Sequence, residues 1–150
     1  MAAMELQSTA FADQAPIPHR FAREGENISP PLTWSDPPAG TRELVLMCED
    51  PDAPSGTFLH WLVTGIDPAS RGVAAGDTPP GGTAHRNGFG DRSWDGPSPP
   101  PGDPAHRYRF VLYALPEPSE LPDRVSAAQA HEALDGHRLA GAALTGYHRR

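Results

Sequence analysis

The chain is 150 residues long, about the length one hydrophobic core organises, and its formal net charge is −7 with arginine as its only strong base. An acidic balance without a basic stripe argues against a duplex nucleic-acid binder, whose affinity rests on neutralised phosphates. A single cysteine, Cys48, excludes a disulfide-stapled scaffold, and no run approaches the roughly 18 apolar residues of a spanning helix.

The N-terminus carries Glu5 and Asp13 and no basic start, so it lacks a signal-peptide profile and the protein reads as cytoplasmic. Proline and glycine, at 19 and 15, fill 34 of the 150 positions, close to the level of about 25–30 % at which disorder becomes a live reading. Their placement favours a folded chain instead. Eleven prolines lie between Pro16 and Pro80, eight between Pro97 and Pro122, and none follows, with short β-like runs between them.

In chain order, residues 3–12 and the stretch around Leu32-Thr33-Trp34 are weak strand candidates. The turn-forming Pro37-Pro38-Ala39-Gly40 then precedes Leu44-Val45-Leu46-Met47-Cys48, a continuous apolar run that reads as a buried central strand. Residues 58–66 and 108–115 are rich in aromatic and branched side chains and bounded by Gly and Pro, the same signature. Residues 73–95 read as loop, long for a compact domain and therefore either functional or disordered. Ser126 and Gln129 form an S-x-x-Q capping box, Ala-rich sequence follows, and Gly136 stands at a helix-end position, which predicts a helix of about ten residues. The pattern predicts a second short helix over residues 137–144, with Tyr147 and the Arg149-Arg150 end returning to the sheet. The whole is expected to be one mostly β domain over residues 1–150 with helices at one end.

The densest polar cluster is Asp50-Pro51-Asp52-Ala53-Pro54, directly after the central strand, with His60-Trp61 opening the next. Two prolines that fix φ make a stiff loop able to aim carboxylates, although Asp and Pro also simply make turns. His60 has apolar neighbours, and His106 begins a run in which Tyr108 falls on its face by period-2 alternation. Two imidazoles and a phenol that donate, oriented by carboxylates, suit a small anion pocket. The same Asp50, Asp52, His60 and His106 could hold a divalent ion if all converged. His131-Glu132-Ala133-Leu134-Asp135 lacks the second histidine of H-E-x-x-H and reads as a solvated helix face, so no metal site is expected. No nucleophile elbow, P-loop or G-x-G-x-x-G is present, and no motif requires a cofactor.

Residues 25–34 (Gly-Glu-Asn-Ile-Ser-Pro-Pro-Leu-Thr-Trp), Glu49-Asp50-Pro51-Asp52-Ala53-Pro54, His60-Trp61, Arg86-Asn87-Gly88-Phe89-Gly90, residues 96–102, His106-Arg107-Tyr108 and residues 136–140 together resemble the phosphatidylethanolamine-binding protein (PEBP) family, in its bacterial and archaeal Raf-kinase-inhibitor-like branch. The resemblance covers nearly the whole chain in order. It implies a central antiparallel Greek-key β-sheet, a second small sheet, peripheral helices, and a cavity at one end of the sheet for phosphate or phosphoryl head groups. It also implies a cis peptide near Glu49-Asp50-Pro51. Carried over residue by residue, the ligand-binding set is Asp50, Asp52, Pro54, His60, His106 and Tyr108.

Four positions depart from the family pattern. Gly88 stands for an expected Asp, Ser98 for a usual Cys, and Phe58 for a Trp, and the spacing from Gly102 to His106 is longer than usual. The expected function is a small anion-binding protein with no catalytic residue. The alternatives are a kinase-regulating module that reads a phosphorylated partner and a hydrolase or isomerase using the His/Asp set. A homodimer is a further expectation; stable membrane insertion and nucleic-acid binding are not expected.

Overall fold

The computed structural model describes residues 4–150. Its strands are β1 (Leu6–Gln7), β2 (Ala15–Pro16), β3 (Leu32–Trp34), β4 (Glu43–Asp50), β5 (Phe58–Ile66), β6 (Gly72–Val73), β7 (Thr83–Ala84), β8 (His106–Leu115) and β9 (Ala140–His148). One α-helix, α1 (Ala127–Leu134), and a 3₁₀ turn at His19–Phe21 complete the regular structure among the described residues.

The large sheet has the order β2-β9-β8-β4-β5-β7, and the small one β1-β3-β6. Strands β4, β5 and β7 are antiparallel neighbours, and β8 returns to lie beside β4, which is the Greek-key arrangement. Among the strand pairs of the described residues, β2–β9 is the parallel one.

All eight residues of β4 are buried because both faces of its sheet are covered. Leu44, Leu46 and Cys48 pack into a cluster with Trp34, Trp61, Trp94 and Phe110 on the side of the small sheet. Val45 and Met47 face the other way, against Ala127, Ala130 and Leu134 of α1. Burial on both faces is why the strand reads as an unbroken apolar run instead of an alternation.

Helix α1 starts where the capping box predicts: the Ser126 hydroxyl accepts from the Gln129 amide at 3.1 Å, and the Gln129 side chain accepts from the Ser126 amide at 2.9 Å. The second helix expected over residues 137–144 is absent. Residues 137–139 form a turn, and from Ala140 onward the chain is β9, paired with β8 from Ala114↔Ala140 to His106↔His148. Small Ala and Gly side chains give it no helical stripe, and the long β8 offers a full ladder of backbone partners, so pairing decides. The end of β9 does alternate, with Leu144 and His148 buried and Thr145 and Tyr147 more open.

The weak candidate over residues 3–12 contracts to Leu6–Gln7, and residue 3 lies outside the described residues. Residues 73–95 are packed: the Gly76 amide donates to the Ser29 carbonyl at 2.9 Å, and Trp94 and Asp95 are buried. Every peptide bond among the described residues is trans, including those around Pro51, contrary to the expected cis bond.

Candidate functional site

Strand β4 ends where β5 and β8 begin, which brings Asp50, His60 and His106 to one end of the sheet. They line a cavity of ≈ 190 Å³ with Ala53, Pro54, Phe58, Phe89, Ser98, Pro99 and Pro100. A cavity of ≈ 480 Å³ beside residues 4–13 and 142–144 is larger, but it is lined by Glu5 and Asp13 without a cation or imidazole. Donor chemistry, not size, singles out the smaller one.

The two imidazoles are set oppositely. His60 lies among the rings of Phe58, Phe89 and Tyr108, whose centroids are 5.1, 5.7 and 5.3 Å from its own. Burial lowers its pKa, only partly offset by the backbone carbonyl of Asp95, so it is neutral at pH 7. Its Nδ1 donates to that carbonyl at 2.7 Å, which fixes the tautomer and leaves Nε2 as an acceptor without a protein partner. In His106, burial alone would lower the pKa, but hydrogen bonds to Asp50 and Asp103 outweigh it and raise the value. Nδ1 is 2.7 Å from Asp50 Oδ2, and Nε2 is 3.2 Å from Asp103 Oδ2. Asp50 in turn accepts from the Asp52 amide at 2.7 Å, which locks the stiff loop.

Two of the expected site residues stand elsewhere. Asp52 turns away from the cavity, and its carboxylate takes the Arg107 guanidinium at 2.8 and 3.0 Å and the Arg107 amide at 2.8 Å. The fork geometry of arginine favours this bidentate pair, so Asp52 fastens the loop to β8. Tyr108 stands behind the wall: its ring is fully buried and its hydroxyl is sealed from solvent without a hydrogen-bond partner. Burial and the neighbouring Asp50 charge push its pKa far up, so it stays a phenol. The four carboxylate and imidazole residues therefore do not converge on one ion.

Several supporting residues escaped the sequence reading. Asp95 is buried and accepts from Asn27 Nδ2 at 3.0 Å and from Asn87 Nδ2 at 2.8 Å, while Asn27 Oδ1 accepts from the Gly96 amide at 2.7 Å. This network holds the carbonyl that orients His60. Asn27 was visible only as part of a motif, and nothing in sequence spacing links it to Asp95, 68 positions on. Arg23 lies 4.0 Å over the Phe89 ring at the cavity rim, a cation that no sequence pattern announces.

Two of the family departures form one packing unit. A Cβ at Gly88 would be driven into the Phe58 ring, so the bare glycine is what lets this aromatic stand at the rim.

Comparison with known proteins agrees with the fold. The family described as phosphatidylethanolamine-binding protein matches residues 7–149. The UPF0098 protein of Methanothermobacter thermautotrophicus is 42 % identical, over 98 % of this chain and 99 % of its own. LppC of Mycobacterium tuberculosis, which its name describes as a lipoprotein, is 47 % identical over 87 % of this chain; the match spans only 65 % of LppC's length. Among solved structures, a PEBP homologue of Chlamydia trachomatis is 37 % identical with a TM-score of 0.88, covering 100 % of this chain and 99 % of that one. YbcL of Escherichia coli, described as a new member of the mammalian PEBP family, is 28 % identical with a TM-score of 0.89, covering 99 % of each chain. A Greek-key sheet together with a family match over residues 7–149 and relatives matched almost from end to end assigns the chain to the phosphatidylethanolamine-binding protein family.

Proposed function

We propose that the cavity between His60 and His106 binds a small phosphorylated anion. The observation that carries this reading is the pairing of an imidazole whose pKa is raised by Asp50 and Asp103 with a neutral imidazole whose Nε2 is open. The His106 ring, when protonated, supplies charge and an N–H. The neutral ring accepts the O–H of a singly protonated phosphoryl group, a form that becomes abundant near the second phosphate pKa of about 6. At ≈ 190 Å³ the cavity is below the roughly 300 Å³ at which drug-sized sites begin, so it suits a phosphoryl group with a small substituent against Phe58, Phe89 and the prolines.

Asp103 complicates the picture usefully. Its carboxylate already occupies His106 Nε2, so the incoming anion must displace it. We read the cavity as a binding site and not a catalytic one, because no hydroxyl or thiol lining it is hydrogen-bonded to an imidazole among the described residues. We further propose that the protein works in the cytoplasm. The lipoprotein name of the mycobacterial relative makes cell fractionation a real test of that point.

Calorimetry with inorganic phosphate, O-phosphorylethanolamine and a phosphoserine peptide tests the reading. The wild type is expected to bind more tightly at about pH 6 than at about pH 7.5. Asp103→Asn, which removes the competing charge, is expected to bind about fivefold more tightly, equivalent to about 1 kcal/mol. Preference for the peptide would identify a phosphorylated protein as the source of the group, and preference for phosphorylethanolamine a head group. Absence of binding by all three ligands to both proteins overturns the proposal.

A further inference from the structure

One strand over from the cavity, a second group of side chains comes together. His148 near the end of β9 is the register partner of His106. Its Nε2 lies 3.4 Å from Glu24 Oε1, and the same oxygen lies 3.9 Å from His19 Nδ1. One ligand atom from each of the three residues falls within 4.8 Å of the other two, and no other trio of His, Cys, Asp or Glu does so among the described residues.

The local chain is shaped to make this meeting. The 3₁₀ turn carries His19 outward, the Ala22 amide donates back to the His19 carbonyl at 3.0 Å, and the Gly25 amide donates to Ala22 at 3.0 Å. A Cβ on Gly25 would collide with the His19 carbonyl, so glycine is what allows Glu24 to be folded back over His19. Arg150 Nε donates to Glu24 Oε2 at 2.6 Å. That bond favours the ionised carboxylate and leaves the other oxygen turned towards the two imidazoles, the arrangement by which an outer partner orients a metal ligand.

We propose that His19 Nδ1, Glu24 Oε1 and His148 Nε2 form a binding site for a first-row divalent transition metal, with Zn²⁺ as the best match. Imidazole nitrogens favour zinc, nickel and copper over magnesium and calcium, which prefer all-oxygen sites. Around a tetrahedral ion with bonds of about 2.1 Å, ligand atoms stand about 3.4 Å apart. The Glu24–His148 separation of 3.4 Å already has that value, and the Glu24–His19 separation of 3.9 Å exceeds it by little. His19 is the side chain free to adjust, being 67 % exposed, whereas His148 is 8 % exposed and held by the sheet. Three protein ligands leave a fourth position open to water or a small donor. The ion would clip the last strand to the turn after residue 18. This inference is independent of the phosphoryl reading and does not use its residues.

The test is calorimetric titration of the full chain with Zn²⁺, and separately with Mg²⁺, in a buffer free of phosphate and chelators, followed by thermal unfolding with and without Zn²⁺. One equivalent of Zn²⁺ is expected to bind in the micromolar range and raise the unfolding midpoint, with Mg²⁺ at least a hundredfold weaker. His19→Ala alters an exposed side chain and keeps the fold, and Glu24→Gln keeps the shape of its residue. Each is expected to weaken Zn²⁺ at least tenfold and remove the midpoint shift, while the exposed His137→Ala leaves both unchanged. No saturable binding to the wild type, or unchanged affinity in either His19→Ala or Glu24→Gln, overturns the proposal.

Discussion

At the scale of single residues, the site is decided by which partner each polar atom already has. His106 has none to spare, since both nitrogens face carboxylates, whereas His60 keeps one nitrogen for a ligand. The sequence made Asp50, His60 and His106 visible through strand periodicity and family resemblance. It could not show that Asp52 is spent on Arg107, or that Asp103 in the lengthened stretch before His106 would occupy Nε2. Both are consequences of how loops fold back over β8, which no local pattern encodes. Tyr108 gives the sharpest residue-scale prediction. A buried hydroxyl without a partner carries a desolvation cost of roughly 1–3 kcal/mol. Tyr108→Phe is therefore expected to raise stability in urea unfolding by up to about 1 kcal/mol, and to change phosphoryl affinity less than about twofold. A large loss of affinity would mean that the hydroxyl swings into the cavity after all.

At the scale of elements, legibility followed local determination. Helix α1 was readable because its cap, its apolar positions and its stop are all contained in about ten residues. Strand β9 was misread because its identity comes from β8, and only Leu144 and His148 hint at the strand period. The contact between α1 and β4 is likewise invisible in sequence: His131 Nε2 lies 2.8 Å from Glu49 Oε2, and its Nδ1 lies 3.1 Å from Asp135 Oδ2. Burial would lower the His131 pKa, but the hydrogen bonds to Glu49 and Asp135 prevail and raise it. The raised folded value means that this ion pair stabilises the protein fully below the unfolded value of about 6.5, and loses that contribution as pH rises through the folded value. Urea unfolding of His131→Ala is expected to show a loss of about 2 kcal/mol near pH 6, where Glu49 is left buried with only Arg109 at 3.8 Å. The deficit should shrink towards pH 8. A deficit that is the same at both pH values would contradict this role for the helix contact.

At the scale of the whole molecule, the fold class was legible because three of its four long strands, and the punctuation between them, show in the sequence. The proline and glycine content that first resembles disorder is spent on rigid connections. Pro54, Pro99 and Pro100 wall the cavity, and the long segment over residues 73–95 supplies Asn87, Phe89 and Asp95 to its support. The unbroken burial of β4 follows from two clusters sharing one strand, one on each face. The acidic surface sets the remaining problem, since a chain of net charge −7 must attract an anion through local donors alone. Its answer here is a histidine pair in which His106, its pKa raised by Asp50 and Asp103, gains charge as pH falls while His60 stays an acceptor. The most direct test is an NMR titration of the histidine side chains with O-phosphorylethanolamine at about pH 6 and about pH 7.5. The account predicts that the His60 and His106 ring signals move together and saturate at lower ligand concentration at the lower pH, with His131 unmoved. Signals of His60 and His106 that stay fixed at both pH values would contradict it.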